Sequence, residues 1–260
     1  MATTVAMFSQ KGGTGKTTAV RTLADVLRRI GVEVLCVDLD PQGNLSDYFD
    51  VPADAAPTIA DVLAGRACAA DAVHDGAILP ANLGLAEAEL VLGGKMGREL
   101  TLQRALRELT PRYELILIDC PPSLGLLTVN ALVAADYAVI SSEAEYFSLQ
   151  GVEQALEVIE LAKDNLRPKL EWLGVLLNIA DMRLVHARDA LRQLRERFGE
   201  KVFSTVIRRS VRYAESAERG VSILDYAPDY LSLADELLAR LGFADERSRL
   251  AALRAELVPA

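Results

Sequence analysis

A strand-like apolar run, Val5–Ser9, leads directly into Gln10-Lys11-Gly12-Gly13-Thr14-Gly15-Lys16-Thr17-Thr18. Helical spacing follows at once through Val20, Leu23, Ala24, Leu27 and Ile30. Strand, glycine-rich turn and helix in this order form the context of a phosphate-binding loop. The glycines let the backbone bend so that successive N–H groups surround a phosphate. The helix N-terminus adds partial positive charge. Lys16 supplies a full charge at the outer phosphates, and the Thr17 hydroxyl suits Mg²⁺. An ordinary glycine turn is the bland alternative, and GKTT between a strand and a helix speaks against it.

The rest of the chain repeats the βα alternation. Strands are expected at Val32–Leu39, Leu115–Asp119, Tyr137–Ser141, Leu173–Asn178 and Val202–Ile207. Helices are expected at Thr17–Ile30, Leu126–Ala134, Leu149–Ala162, His186–Phe198 and Tyr230–Leu241. Near-continuous apolar strands with helices between them predict an α/β fold, a mostly parallel twisted sheet with helices on both faces. No internal repeat or long linker divides residues 1–260, so a single P-loop NTPase domain is expected, with the tail 244–260 the least defined part of its end. Residues 45–100 carry only weak element signals.

Composition narrows the class. Hydrophobic residues make up 51% and charged residues 25%, which is globular rather than disordered. No apolar run is long enough to span a bilayer, and Met1–Val5 lacks the pattern of a secretory leader. Three widely spaced cysteines, Cys36, Cys68 and Cys120, fit neither a disulfide framework nor paired metal spacing. A reduced, cytoplasmic protein is the expectation. His74 and His186 are isolated and are assigned no chemistry. The net charge of −9 excludes coating of nucleic acid by overall positive charge. Residues 181–220 nevertheless hold ten basic and six acidic side chains, a local +4.

Carboxylates stand at two strand ends. Asp38 and Asp40 alternate in Val37-Asp38-Leu39-Asp40-Pro41-Gln42-Gly43-Asn44, and Asp119 closes Leu-Ile-Leu-Ile-Asp before Cys120-Pro121-Pro122. A carboxylate beside a phosphate loop can orient water or hold a metal's water shell. Capping of the following turns is the alternative. Asn178 ends another strand, where open α/β sheets contact ligands, or it is a plain turn asparagine.

Arg188, Arg192 and Arg195 fall on one arc of a helix. Leu184, Leu191, Leu194 and Phe198 lie beside that arc as the expected core face. The arc reads as a phosphate-binding patch, or as a solvated face paired with Asp189 and Glu196.

The phosphate loop departs from the ordinary pattern, which has glycine six positions before the lysine, where this chain has Gln10. The compressed KGGTGKTT with its second lysine, Lys11, resembles the deviant Walker A motif of the ParA/MinD group of P-loop ATPases. With DLDPQGN and DCPP, the likeness covers nearly the whole chain and is nearest to the ParA (Soj-like) partition ATPases. The resemblance implies ATP and Mg²⁺ as ligands, with Gly12–Thr18 around the phosphates. It implies that Lys11 reaches across a nucleotide-sandwich homodimer to the partner's phosphates, as an arginine finger does. A solvated loop lysine is the alternative. Asp40 would position the attacking water, Asp38 would support the Mg²⁺ shell with Thr17, and Asp119 would act as the Walker B carboxylate. Asn178, Arg208 and Ser210 match the adenine side, although the family usually has proline at position 208. Asn178-Ile179-Ala180-Asp181 lacks the lysine of a guanine-reading motif, so ATP is favoured over GTP. Ser141 and Glu143 replace residues that are commonly proline and glutamine.

In such proteins the C-terminal region binds double-stranded DNA without sequence preference, here through Arg188, Arg192, Arg195, Arg208, Arg209 and Arg212. The expected output is a dimerising switch ATPase that segregates DNA with a ParB-like adaptor, whose basic segment stimulates slow hydrolysis, on the nucleoid. The same engine positioning a protein cargo is the rival reading. A membrane-associated MinD-like regulator is disfavoured, because Ala244–Ala260 mixes acids among its arginines and leucines. A small-molecule kinase or synthetase is more distant still.

Overall fold

The computed structural model describes residues 1–145, 148–210 and 228–257. Seven strands form one sheet in the order β3-β2-β4-β1-β5-β6-β7. They are β1 (Thr3–Phe8), β2 (Val34–Asp38), β3 (Ile78–Leu79), β4 (Leu115–Asp119), β5 (Tyr137–Glu143), β6 (Glu171–Ala180) and β7 (Val202–Arg208). Every neighbouring pair is parallel, so "mostly parallel" becomes wholly parallel among the described strands.

Parallel strands need crossovers, and helices supply them. These are α1 (Lys16–Arg29), α2 (Asn44–Tyr48), α3 (Ile59–Ala64), α4 (Ala69–Ala72), α5 (Gly84–Gly93), α6 (Thr101–Leu106), α7 (Leu126–Ala134), α8 (Ser148–Asn165), α9 (Val185–Phe198), α10 (Pro228–Leu241) and α11 (Ala244–Leu257).

Side chains alternate across the sheet and divide the core in two. Val5, Met7, Cys36, Leu115 and Leu117 face α1, α10 and α11, where Leu23, Leu27, Leu237 and Leu250 are buried. Ala6, Phe8, Val37, Ile116 and Ile118 face the opposite layer, with Leu63, Leu85, Leu127, Val152 and Leu194. Each fully buried leucine contributes about 1.5–3 kcal/mol relative to exposure. The expected strand Val32–Leu39 is shorter in fact, because Val32 N–H turns back to the Leu27 carbonyl. Residues 45–100 hold α2 to α5 and the edge strand β3, whose two residues pair with Cys36 and Val37. The tail packs as α11, with Leu250 and Leu253 buried. Arg249 caps α1 by donating to the Ile30 carbonyl at 2.8 Å. Cys36 and Cys120 are buried, Cys68 is exposed, and all three are free. No described helix is long and apolar enough to cross a membrane.

Candidate nucleotide-binding site

The phosphate loop joins β1, in the middle of the sheet, to α1. Gly13 and Gly15 adopt φ +77° and +74°, left-handed values that other residues rarely take. Gly15 is the N-cap of α1, whose first turn carries no acid, so its positive end is left for an anion. Lys16 is 6% exposed. Its ammonium donates to Ser9 Oγ at 3.0 Å and to the Lys11 carbonyl at 3.4 Å. A buried ammonium at the N-terminal end of a helix with no acid in its first turn is a built anion site.

Neighbouring strands brace the loop. Ser9 Oγ donates to the Lys11 carbonyl at 2.7 Å and pairs with Thr14 Oγ1 at 2.9 Å. Ser141 Oγ, from the end of β5, donates to the Thr14 carbonyl at 2.9 Å. Asn178 Nδ2, from β6, donates to the Gly15 carbonyl at 3.1 Å, and its Oδ1 accepts the Ile179 N–H at 2.9 Å. The buried Asn178 carboxamide therefore meets the loop backbone. A Cβ on Gly15 would lie 2.7 Å from Asn178 Nδ2. Ile179 next to it holds φ +51°, a strained value for a β-branched residue.

The carboxylates divide into two roles of place. Asp38 and Asp119 are lateral partners on β2 and β4. Asp119 Oδ2 accepts the Thr17 hydroxyl at 2.6 Å, whereas its Oδ1 is buried without a hydrogen-bond partner among the described residues. Burial, with Asp38 beside it, pushes Asp119 up to about 8. An orphaned carboxylate oxygen next to a threonine hydroxyl and a phosphate cradle is the hard-oxygen donor set that suits Mg²⁺.

Asp38 is buried behind this pair. It accepts the Asp40 N–H at 3.0 Å, the Ser46 N–H at 2.9 Å and the Ser46 hydroxyl at 2.8 Å. Burial pushes it up to about 6. Its described bonds thus fix the segment 40–46 and the start of α2. Asp40 lines the open cavity instead, and its Oδ1 accepts the Gln42 N–H at 3.0 Å.

That cavity, of about 560 Å³, runs from Gly12–Thr18 past Asp40 and Pro122 to Asn178, Arg208, Arg209 and Ser210. Tyr48 and Tyr230 also line it. The sequence-predicted loop residues, Asp40, Asn178, Arg208 and Ser210 therefore come together. Arg208 is gripped by Asp229, at the start of α10, through Nε and Nη2 at 2.8–3.2 Å. Tyr48, Tyr230, Ser9 and Ser141 were not singled out for roles here by sequence reasoning.

Lys11 stands apart. Its side chain is 55% exposed on the rim of the loop, 3.0 Å from Glu145 Oε2. The Lys11 hydrogen bond, with its charge, holds the Glu145 carboxyl below its usual range.

The arginine arc lies away from this cavity. Arg188, Arg192 and Arg195 are exposed on one face of α9 and share a groove. Arg192 pairs with Asp189 at 3.0 Å and Glu196 at 3.5 Å. Arg188 Nη1 donates to the carbonyls of Met182 and Arg183. Leu191 and Leu194 face the core as expected, but Leu184 is the N-cap of α9 and is 44% exposed. Leu184 precedes the first helical turn, so the helical spacing does not carry it inward. Arg208 and Arg209 line the nucleotide cavity rather than this arc. Arg212 lies outside the described residues.

A strand–loop–helix cradle with a buried lysine, a threonine hydroxyl and a strand-end aspartate defines a P-loop nucleoside triphosphatase. Comparison with known proteins is consistent with this class. A model of an AAA domain matches residues 2–172. The Bacillus subtilis sporulation initiation inhibitor protein Soj is 39% identical over 247 residues, covering 90% of this chain and 98% of that one. The Thermus thermophilus chromosome-partitioning ATPase Soj is 41% identical, covering 91% and 96%. A Mycobacterium smegmatis structure titled cobyrinic acid a,c-diamide synthase, with bound ADP and magnesium, matches with TM-score 0.76 and 36% identity, covering 84% of this chain and 93% of that one. The chain belongs to the ParA/Soj family of partition ATPases.

Proposed function

We propose that this ATPase is a dimerising switch that binds DNA without sequence preference and segregates it with a ParB-like partner. ATP and Mg²⁺ occupy the cavity over the loop. The amides of Gly12–Thr18 and the Lys16 ammonium hold the phosphates, while Thr17 and Asp119 hold the cation through oxygen ligands and water. Magnesium supplies charge neutralisation at the phosphates when bound. Asp40, at the open side of the cavity, orients the attacking water. Asp38 positions Asp40 through the Asp40 N–H. Asn178 keeps the loop in its curve, and Arg208 and Ser210 flank the base.

The observation that carries the reading is the placement of Lys11. Its ammonium lies on the rim, turned to Glu145 and half exposed, where a second chain closing face to face would bring it a phosphate. A cation donated in trans makes association depend on the terminal phosphate, as an arginine finger does. Two subunits then double the cationic footprint of Arg188, Arg192, Arg195 and Arg209, with Arg208 and Arg212 nearby in sequence. Each phosphate contact releases counterions, so binding is salt-sensitive and sequence-independent.

The test is size-exclusion chromatography with light scattering, in ADP and in ATP. The parent chain is expected to dimerise with ATP only, Lys11→Ala to stay monomeric, and Asp40→Ala to remain dimeric. In a gel shift, Lys16→Ala is expected to lose ATP-dependent DNA binding. A Lys11→Ala variant that dimerises like the parent overturns the reading.

A further inference from the structure

Tyr48 closes α2 at the wall of the nucleotide cavity and has no part in the phosphate or cation seat. It is a buried residue. Thr18, the last residue of the phosphate loop, lines the same cavity. The two side chains are hydrogen-bonded, hydroxyl to hydroxyl. Two hydroxyls carry two protons, and one bond between them uses one. The bonds to the Tyr48 and Thr18 carbonyls involve the backbone alone. The other proton therefore has no acceptor among the described residues. An O–H left over at a cavity wall is a donor for whatever fills the cavity.

The ring is held in place from two sides. Arg21 Nη1, on α1, donates to the Tyr48 carbonyl. Its guanidinium lies 5.7 Å from the centroid of the Tyr48 ring and 4.5 Å from that of Phe49. Asp25 fixes that guanidinium through an ion pair at 3.0 Å. Toward the other end of α2, the Ser46 N–H and hydroxyl both donate to Asp38 on β2. The short helix is thus tied to β2 and to α1, which fixes the ring at the cavity wall. Burial raises the Tyr48 phenol above its ordinary range, so it stays a donor at any working pH.

Chemistry points to the sugar of the nucleotide. In the seat proposed above, the loop amides and Lys16 hold the phosphates, and Thr17 with Asp119 holds the cation. An ionised phosphate oxygen only accepts hydrogen bonds. A sugar hydroxyl accepts and donates, so it answers both the spare proton and the spare lone pairs of the Thr18–Tyr48 pair. We propose that this hydroxyl pair binds a ribose hydroxyl of the nucleotide, with Tyr48 as the residue that reads the sugar. The proposal rests on the nucleotide seat above and adds a residue to it.

Isothermal titration calorimetry in Mg²⁺ tests it, with ADP, 2′-deoxy-ADP, 3′-deoxy-ADP and inorganic pyrophosphate as ligands. The parent chain is expected to bind one of the two deoxy nucleotides about 5- to 10-fold more weakly than ADP, the loss of one hydrogen bond. Tyr48→Phe keeps the ring and removes the hydroxyl. It is expected to bind ADP about 5- to 10-fold more weakly than the parent does, and to bind that deoxy nucleotide as well as it binds ADP. Its affinity for pyrophosphate is expected to match the parent's, which shows a folded chain and an intact cradle. A tyrosine with only a structural role would weaken every ligand alike and leave the preference for ADP in place. A Tyr48→Phe variant that keeps the parent's preference, or a parent that has none, overturns the proposal. A loss of pyrophosphate binding equal to that of ADP assigns the hydroxyl to the cradle and also overturns it. A parent chain that binds neither ADP nor pyrophosphate overturns the nucleotide seat as well.

Discussion

The Lys11 ammonium lies 3.0 Å from Glu145 Oε2, and both side chains are more than half exposed. The lysine is thus held across the end of β5 by a carboxylate of its own chain. An exposed pair of this kind contributes about 0.2–1 kcal/mol. Both lysines leave this pair when a two-fold dimer forms, so Glu145→Gln is expected to tighten ATP-dependent dimerisation by about 5-fold per protomer at most, up to about 30-fold in the dimer dissociation constant. Light scattering over a concentration series measures it, and the gain should shrink at high salt. A loss of dimer would show that Glu145 has another task.

The pair Asp38–Asp119 makes the nucleotide-free protein sensitive to pH. Asp119 is pushed from 3.8 to about 8 by burial and by Asp38. A carboxyl raised in the folded state contributes its full stability below its ordinary value, and that contribution fades as pH rises through 8. Melting temperature without nucleotide is therefore expected to fall between pH 5 and pH 9. Asp119→Asn, which keeps the shape and cannot ionise, is expected to melt a few degrees higher than the parent at pH 8. Scanning fluorimetry in buffers of matched ionic strength decides it, and identical pH curves for the two chains would refute the assignment.

Gly15 has no room for a side chain. Its φ of +74° and the 2.7 Å approach of Asn178 act together. Gly15→Ala is expected to displace the carboxamide and lower ATP affinity at least 10-fold in a fluorescent-nucleotide titration. Asn178→Ala removes only one hydrogen bond to the loop, and a loss of about 1 kcal/mol, roughly 5-fold in affinity, is expected. Unchanged binding in Asn178→Ala would mean that the loop holds its own curve.

The arginines of α9 differ in what they already touch. Arg192 is paired with Asp189 and Glu196, and those exposed bonds must be exchanged for phosphate contacts. Asp189→Asn is expected to strengthen ATP-dependent DNA binding. Arg195→Ala is expected to weaken it on every sequence and to reduce the slope of log K against log salt by about 1. Fluorescence anisotropy at several salt concentrations tests both. An unaltered slope would place the DNA elsewhere.

Most of the sheet was readable because its strands are long apolar runs between turn residues. The edge strand Ile78–Leu79 was not, since two residues carry no period. The phosphate loop was legible from its glycines and lysines, and Asp119 from the apolar strand before it. Ser9 and Ser141 left no such mark, because a serine at a strand end acquires its role only when another strand is laid beside it. Asn178 was assigned to the base from its position. The structure adds that its carboxamide is engaged with Gly15 and Ile179, a contact spanning 163 positions of sequence. Arg208 was read both as an adenine-side residue and with the arginines of α9, and Asp229 holds it beside the cavity.

Strand β1 sits fourth of seven, hydrogen-bonded to β4 on one side and β5 on the other. The cradle it carries is consequently anchored to a strand that is hydrogen-bonded along both edges. In the switch proposed above, a bound terminal phosphate is then felt as charge by side chains that stand clear of that strand. On that reading, substitutions at the margins would alter what the switch acts on, while the strand at its centre stays as it is.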